Sequence, residues 1–192
     1  METLIHKLNL PQLENCIVNG AEEKFFQPTG IAYYKKVKSW ELFKEPYLFI
    51  NGLIWHNALI FYRPEGSIGH PHKDSTVPGV TTWAINWIYK GNGLMEYWEL
   101  EDFENVVSYK DSKGYSTIKC TNPKIPSRLK YFLDPGAYLV NTTYPHYATG
   151  FGNRYCISYR SLNLKKNWNE IVELFRNLII EQPVTRLDNN SR

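Results

Sequence analysis

Apolar and polar positions alternate along much of this chain with the period of two that strands require. Residues 1–30 carry only short apolar clusters, interrupted by Pro11, Pro28 and Gly30. Val37 to Phe43 reads as a short helix closed by Pro46. From Tyr47 the pattern becomes β-rich: YLFINGLI and NALIFY follow each other until Pro64 and Gly66 break the run. TTWAINWIY and LMEYWEL flank Gly91-Asn92-Gly93, which predicts a hairpin. VVSYK and STIKC flank Asp111-Ser112-Lys113-Gly114, a second hairpin signal. YFLD, AYLVN and RYCISYRS are later strands, separated by Pro135-Gly136 and by the glycines of ATGFGN. Many short strands with regular turn signals point to a β-sandwich or barrel. The end differs: the pattern predicts a helix over 167–180, with Asn167 as its cap. Ile171, Leu174, Phe175 and Leu178 then share one apolar face, and Pro183 stops the helix.

Length bounds the organisation. The chain has 192 residues, enough for one domain, 1–192, with a β core over 47–162, the helix, and a polar flexible tail over 183–192. Fourteen Tyr, 9 Phe and 6 Trp favour pleated, half-buried surfaces, and 11 Pro and 12 Gly cut the chain into short pieces. Net charge is only +3. Lys35, Lys36 and Lys38, and then Lys165 and Lys166, form small basic clusters that read as solvated surface, so charge gives no argument for nucleic acid. Cys16, Cys120 and Cys156 are odd in number and lack CxxC spacing, which excludes a disulfide frame and a zinc-finger cluster. No run of the sequence approaches the roughly 20 apolar residues of a membrane helix, and METLIHKLNL lacks the apolar stretch of a signal peptide. The expectation is a reduced, cytoplasmic protein without a membrane partner.

The chemistry concentrates in Gly69-His70-Pro71-His72-Lys73-Asp74. In a strand, residues i and i+2 point the same way, so His72 and Asp74 project together. One imidazole and one carboxylate side by side supply two ligands of a 2-His-1-carboxylate facial triad, the set characteristic of non-haem Fe(II) oxygenases. On its own such a pair is equally a surface histidine beside a solvated aspartate. His146, in AYLVNTTYPHYATG, is available as the third ligand if a closed sheet brings the two segments together. His70 shares the parity of His72 and reads as a residue behind or at the mouth of the site. In RYCISYRS, Arg154, Cys156, Ser158 and Arg160 share one face and Tyr155, Ile157 and Tyr159 the other. An arginine facing a barrel interior requires an anion, and its planar fork fits a carboxylate. Tyr62, on the strand leading to the metal motif, is placed to add a hydrogen bond to the same anion. Trp83, Trp87, Tyr97 and Trp98 are available either as core or as an apolar wall around the metal.

These residues resemble the Fe(II)/2-oxoglutarate dioxygenase superfamily, whose fold is the double-stranded β-helix, a jelly roll. The family pattern is HxD, a distal His, then an Arg or Lys, often as RxS. His72-Lys73-Asp74, His146 and Arg154 match it, and the resemblance covers roughly Trp55 to Ser161. Arg154-Tyr-Cys-Ile-Ser-Tyr-Arg160 and Tyr62-Arg-Pro-Glu-Gly are also similar to segments of the AlkB-like nucleic-acid demethylases, although no basic nucleotide-gripping segment accompanies them. Position 156 is Cys where the RxS form has Ser, and Ser158 lies on the same face to replace it. The resemblance implies Fe(II) on His72, Asp74 and His146, and 2-oxoglutarate held by Arg154 with help from Tyr62 and Ser158. Arg160 would bind a second carboxylate or hold Asp74. It further implies O2 as oxidant, succinate and CO2 as products, and hydroxylation of an unactivated C–H. The expected partner is a small-molecule or amino-acid-like substrate. Three other readings stay open at this level: a cupin-type metalloenzyme that does without 2-oxoglutarate, an AlkB-like demethylase, and a non-catalytic jelly-roll binding module.

Overall fold

In the computed structural model the described residues are 3–10, 33–38, 49–50, 53–54, 57–65, 70–74, 82–110, 116–160, 166–181 and 184–187. The strands follow in the order β1 (Ile5–Leu8), β2 (Tyr33–Lys38), β3 (Phe49–Ile50), β4 (Leu53–Ile54), β5 (Asn57–Arg63), β6 (His72–Asp74), β7 (Trp83–Tyr97) and β8 (Phe103–Lys110). Then come β9 (Ser116–Pro123), β10 (Leu129–Leu133), β11 (Gly136–Asn141), β12 (His146–Ala148), β13 (Phe151–Arg160), helix α1 (Trp168–Leu174) and β14 (Arg186–Leu187). The protein is mainly β. Among the described residues twelve strands join one sheet, while β3 and β4 form a separate two-stranded pair.

The expected hairpin at Gly91-Asn92-Gly93 is not formed: β7 runs through these residues as one 15-residue strand. Its first half pairs with β11 and β13, and its second half, Gly93–Tyr97, with β10 and β12. The glycines serve a close crossing instead of a reversal. A Cβ at Gly93 would lie 1.8 Å from the Thr149 carbonyl oxygen, and one at Gly91, whose φ is +75°, 2.4 Å from that of Asn153. The strand therefore passes from one sheet portion, β2-β5-β13-β7-β11-β1, to another, β14-β10-β7-β12-β6-β9-β8.

The two portions share an apolar interior. Ile5, Ile88, Tyr138, Val140 and Cys156 come from the first; Met95, Tyr97, Leu129, Tyr131 and Leu133 come from the second. The opposite parity of the first portion, Trp83, Ile85, Trp87, Leu139, Ile157 and Tyr159, packs under α1 through Trp168, Ile171 and Phe175. Behind the second portion lies a smaller cluster of Trp98, Phe103 and Cys120.

α1 starts as expected. The Asn167 side chain accepts the Glu170 N–H at 3.0 Å, and the Glu170 carboxylate accepts the Asn167 N–H at 2.8 Å, a reciprocal cap. It ends earlier than expected, with a 3-10 turn over Arg176–Leu178 in place of the last turns. The reason is tertiary: Ile180 N–H donates to the Lys7 carbonyl, Asn9 N–H donates to that of Leu178, and Ile179 bridges Leu8. Pairing with the extension of β1 replaces helical bonds there.

Other expectations also change. Val37 and Lys38 belong to β2, which pairs with β5, so no helix starts at Val37; residues 39–46 lie outside the described residues. Part of the supposed tail, Arg186–Leu187, pairs with β10, while 188–192 lie outside the described residues. β8 and β9 pair antiparallel as predicted, from Phe103↔Pro123 to Lys110↔Ser116. Cys120 and Cys156 are both buried. No helix among the described residues is long and apolar enough to cross a membrane.

Candidate metal centre

The metal motif sits on β6, a strand of three residues, His72-Lys73-Asp74. It is short, yet it is held on both sides: β12 pairs with it at His146↔His72, and β9 pairs along its whole length. Directly opposed residues of an antiparallel pair share a face, with Cβ atoms about 4.5–5.5 Å apart. The register therefore places His146 beside His72, and the two-residue strand period places Asp74 on the same side. The imidazole centroids of His72 and His146 lie 4.6 Å apart. His72 Nε2 is 3.7 Å from Asp74 Oδ1. One ligand atom from each of His72, Asp74 and His146 lies within 4.8 Å of the others.

The donor set is prepared for a cation. His146 Nδ1 lies 2.9 Å from the Tyr144 carbonyl, and His72 Nδ1 lies 3.4 Å from that of His70. A carbonyl only accepts, so Nδ1–H donates and Nε2 keeps its lone pair, the tautomer a metal ligand needs. His70 itself is exposed and meets the cluster through its backbone, behind a ligand as its parity suggested. Asp74 and His146 are buried and His72 half-buried, leaving one side of the cluster accessible. Two neutral imidazoles and one carboxylate in this arrangement suit a divalent first-row metal and leave coordination positions open.

Of the four aromatic residues considered for a wall, only Tyr97 adjoins the cluster. It is the register partner of His146 across β12 and β7, with ring centroids 6.1 Å apart. Burial, with the nearby Tyr131 and Asp74 charges, pushes its hydroxyl well above the ordinary tyrosine range, so it stays protonated. Trp83 and Trp87 face α1 instead, and Trp98 packs with Phe103 and Cys120.

The face assignment on β13 holds. Arg154, Cys156 and Ser158 are buried, and Cys156 joins the shared interior, while Ile157 and Tyr159 pack towards α1. Ser158 lies across from Asn86, whose Oδ1 is buried without a hydrogen-bond partner among the described residues. Arg154 is 4% exposed, and its Nε has no hydrogen-bond partner among them. Arg160 ends β13 opposite Ala84; its side chain lies outside the described residues.

Tyr62 is not brought to Arg154. It opposes Tyr155 and stacks on that ring at 4.7 Å, with its hydroxyl donating to Asn153 Oδ1 at 3.1 Å. The residue opposite Arg154 is Arg63. The strand period decides this: Phe61 packs against the shared interior, so Arg63 and not Tyr62 follows it on that face. That parity was available in NALIFYR, as a second arginine whose significance depended on the register.

No family model matches the sequence, and no curated protein does. Among solved structures the chain is similar to the X-ray structure of E. coli ycfD, at 15% identity and a TM-score of 0.38. That match covers 71% of this chain and 35% of the other, so the chain spans about a third of that structure's length. The chemistry of the site rests on its own geometry.

Proposed function

We propose that the protein is a non-haem Fe(II)- and 2-oxoglutarate-dependent oxygenase on a double-stranded β-helix, hydroxylating an unactivated C–H of a small, amino-acid-like molecule. The observation that carries this reading is the convergence of His72, Asp74 and His146 to within 4.8 Å on the paired strands β6 and β12. The bent β7, shared between two facing sheet portions, supports a jelly-roll wall around it. When bound, iron supplies the activation of O2 that no protein side chain can provide.

The residues then take distinct roles. His72 and His146 present Nε2, fixed by the carbonyls behind them, and Asp74 supplies the charge that favours a divalent ion. Arg154, buried and lacking an acid partner among the described residues, holds the far carboxylate of the cosubstrate. Ser158, beside Asn86, adds polar contacts on the same face. Arg160 takes a second carboxylate or steadies Asp74. Tyr97 excludes water from the ligand strand while keeping its proton.

The test is anaerobic titration of the Fe(II)-loaded protein with 2-oxoglutarate, monitoring the visible charge-transfer band of a metal-chelated keto acid. The wild type shows the band, His72→Ala loses it together with iron binding, and Arg154→Ala weakens the cosubstrate by ~10-fold or more, the loss of a charge-assisted hydrogen bond. Iron binding without any band would shift the reading to a metalloenzyme that does not use 2-oxoglutarate. Failure to bind iron would leave a non-catalytic jelly roll.

A further inference from the structure

Two arginines face each other where no acid among the described residues neutralises them. Arg154 on β13 and Arg63 on β5 are direct register partners. Their Cβ atoms are therefore about 4.5–5.5 Å apart on one face. Arg154 is 4% exposed and its Nε lacks a hydrogen-bond partner among the described residues. Arg63 is half-buried, and the interactions formed by its guanidinium are with Tyr147: Nη1 donates to the hydroxyl at 3.0 Å, and the group lies over the ring at 4.7 Å. Burial first, and then the neighbouring Arg154 charge, lower the pKa of Arg63, against the opposing influence of Tyr147. No carboxylate among the described residues pairs with either guanidinium. Burying two like charges without a counter-charge is strongly unfavourable unless a ligand supplies the anion.

We propose that Arg63 is a second anion-binding residue, which with Arg154 grips one carboxylate of a small dicarboxylate ligand, and that Tyr147 positions it. A carboxylate has two oxygens, one for each planar fork, and paired guanidiniums reward that geometry. Tyr147 follows the metal ligand His146 directly on β12. Its contact with Arg63 therefore ties the anion site to the strand that carries a metal ligand. Gly150 leaves the necessary room: a Cβ there would stand 3.1 Å from that of Arg154. The identification of the dicarboxylate with the cosubstrate rests on the function proposed above; the arginine pair itself does not.

The two ideas fail separately in one set of titrations. Full-length protein is titrated calorimetrically with glutarate, which lacks the keto group needed for chelation, with valerate as a single-charge control and inorganic phosphate as a rival oxyanion. Wild type is expected to bind glutarate and valerate, each through one carboxylate, more tightly than phosphate. Arg63→Gln should weaken glutarate by ~10-fold or more, with partial recovery in Arg63→Lys. Tyr147→Phe, which keeps the ring and loses the hydroxyl, should weaken glutarate and valerate alike by a smaller factor, since each offers one carboxylate to Arg63. His72→Ala should bind glutarate with near wild-type affinity. Glutarate affinity in Arg63→Gln within about twofold of wild type would overturn the proposal, whatever the 2-oxoglutarate band shows. So would loss of glutarate binding in His72→Ala with retention in Arg63→Gln, which would put the carboxylate on the metal ligands. Phosphate binding tighter than glutarate would overturn the carboxylate assignment in favour of a phosphorylated ligand. Arg63-dependent glutarate binding without a keto-acid band would sink the oxygenase reading and leave the arginine pair standing.

Discussion

Tyr97 shows how a single buried group can report on the site. Its hydroxyl is fully enclosed, protonated, and without a hydrogen-bond partner among the described residues, beside His146 and within electrostatic reach of Asp74. A buried polar group left unsatisfied costs about 1–3 kcal/mol. Tyr97→Phe keeps the ring and removes the unsatisfied atom, so the ligand-free protein should gain about 1 kcal/mol in urea denaturation. A loss of stability would mean that the hydroxyl has a partner in solution. At this scale two of the candidate metal ligands were legible in the sequence. HxD on a strand dictates that His72 and Asp74 share a side, and no tertiary information is needed for that. Arg63 was not legible in the same way. One position separates it from Tyr62, and a slip of one residue in register exchanges which of the two faces Arg154.

The decisive element is β7, the strand on which both sheet portions meet. Gly-Asn-Gly between alternating apolar runs is a strong local signal for a hairpin. The same glycines also permit two backbones to touch, and here the second use prevails. The crossing leaves no room at Gly93 for any side chain. Gly93→Ala must displace the Thr149 backbone, so it should destabilise by about 3 kcal/mol or more, above the usual overpacking range because backbone cannot rotate away. Chemical denaturation measures this; a change below about 0.5 kcal/mol would show that the crossing is loose. Because Thr149 follows β12, the same variant should disturb the position of His146 and weaken metal affinity along with stability. The cap and apolar face of α1 were written locally in Asn167, Glu170, Ile171 and Phe175, whereas its end was set by pairing near Lys7, far away in sequence.

At the scale of the whole molecule, among the described residues, α1 and the candidate chemistry lie on opposite sides of one sheet portion, whose inner face also carries the shared apolar interior. α1 seals the outer face through Phe175, which is fully buried against Trp83 with centroids 5.3 Å apart. Arg154 and the candidate metal cluster lie towards the inner side. Phe175→Ala should therefore cost about 3–5 kcal/mol, a large part of the ~5–15 kcal/mol of a typical domain. Protein that remains folded should retain metal affinity, since no ligand is attached to the helix. A variant with lost affinity and unchanged stability would contradict this separation. Such a division lets the outer core be substituted without touching the site.

By itself the sequence determined the β class, the parity of His72 with Asp74 and of Arg154 with Ser158, and the start of the C-terminal helix. These follow from periods of two and 3.6 and from capping chemistry, which act within a few residues. Only the tertiary structure decided that His146 stands opposite His72, that β7 continues through its glycines, and that Arg63 rather than Tyr62 faces Arg154. Those outcomes depend on register between strands distant along the chain, and register is set by the packing of whole faces, which no local pattern encodes.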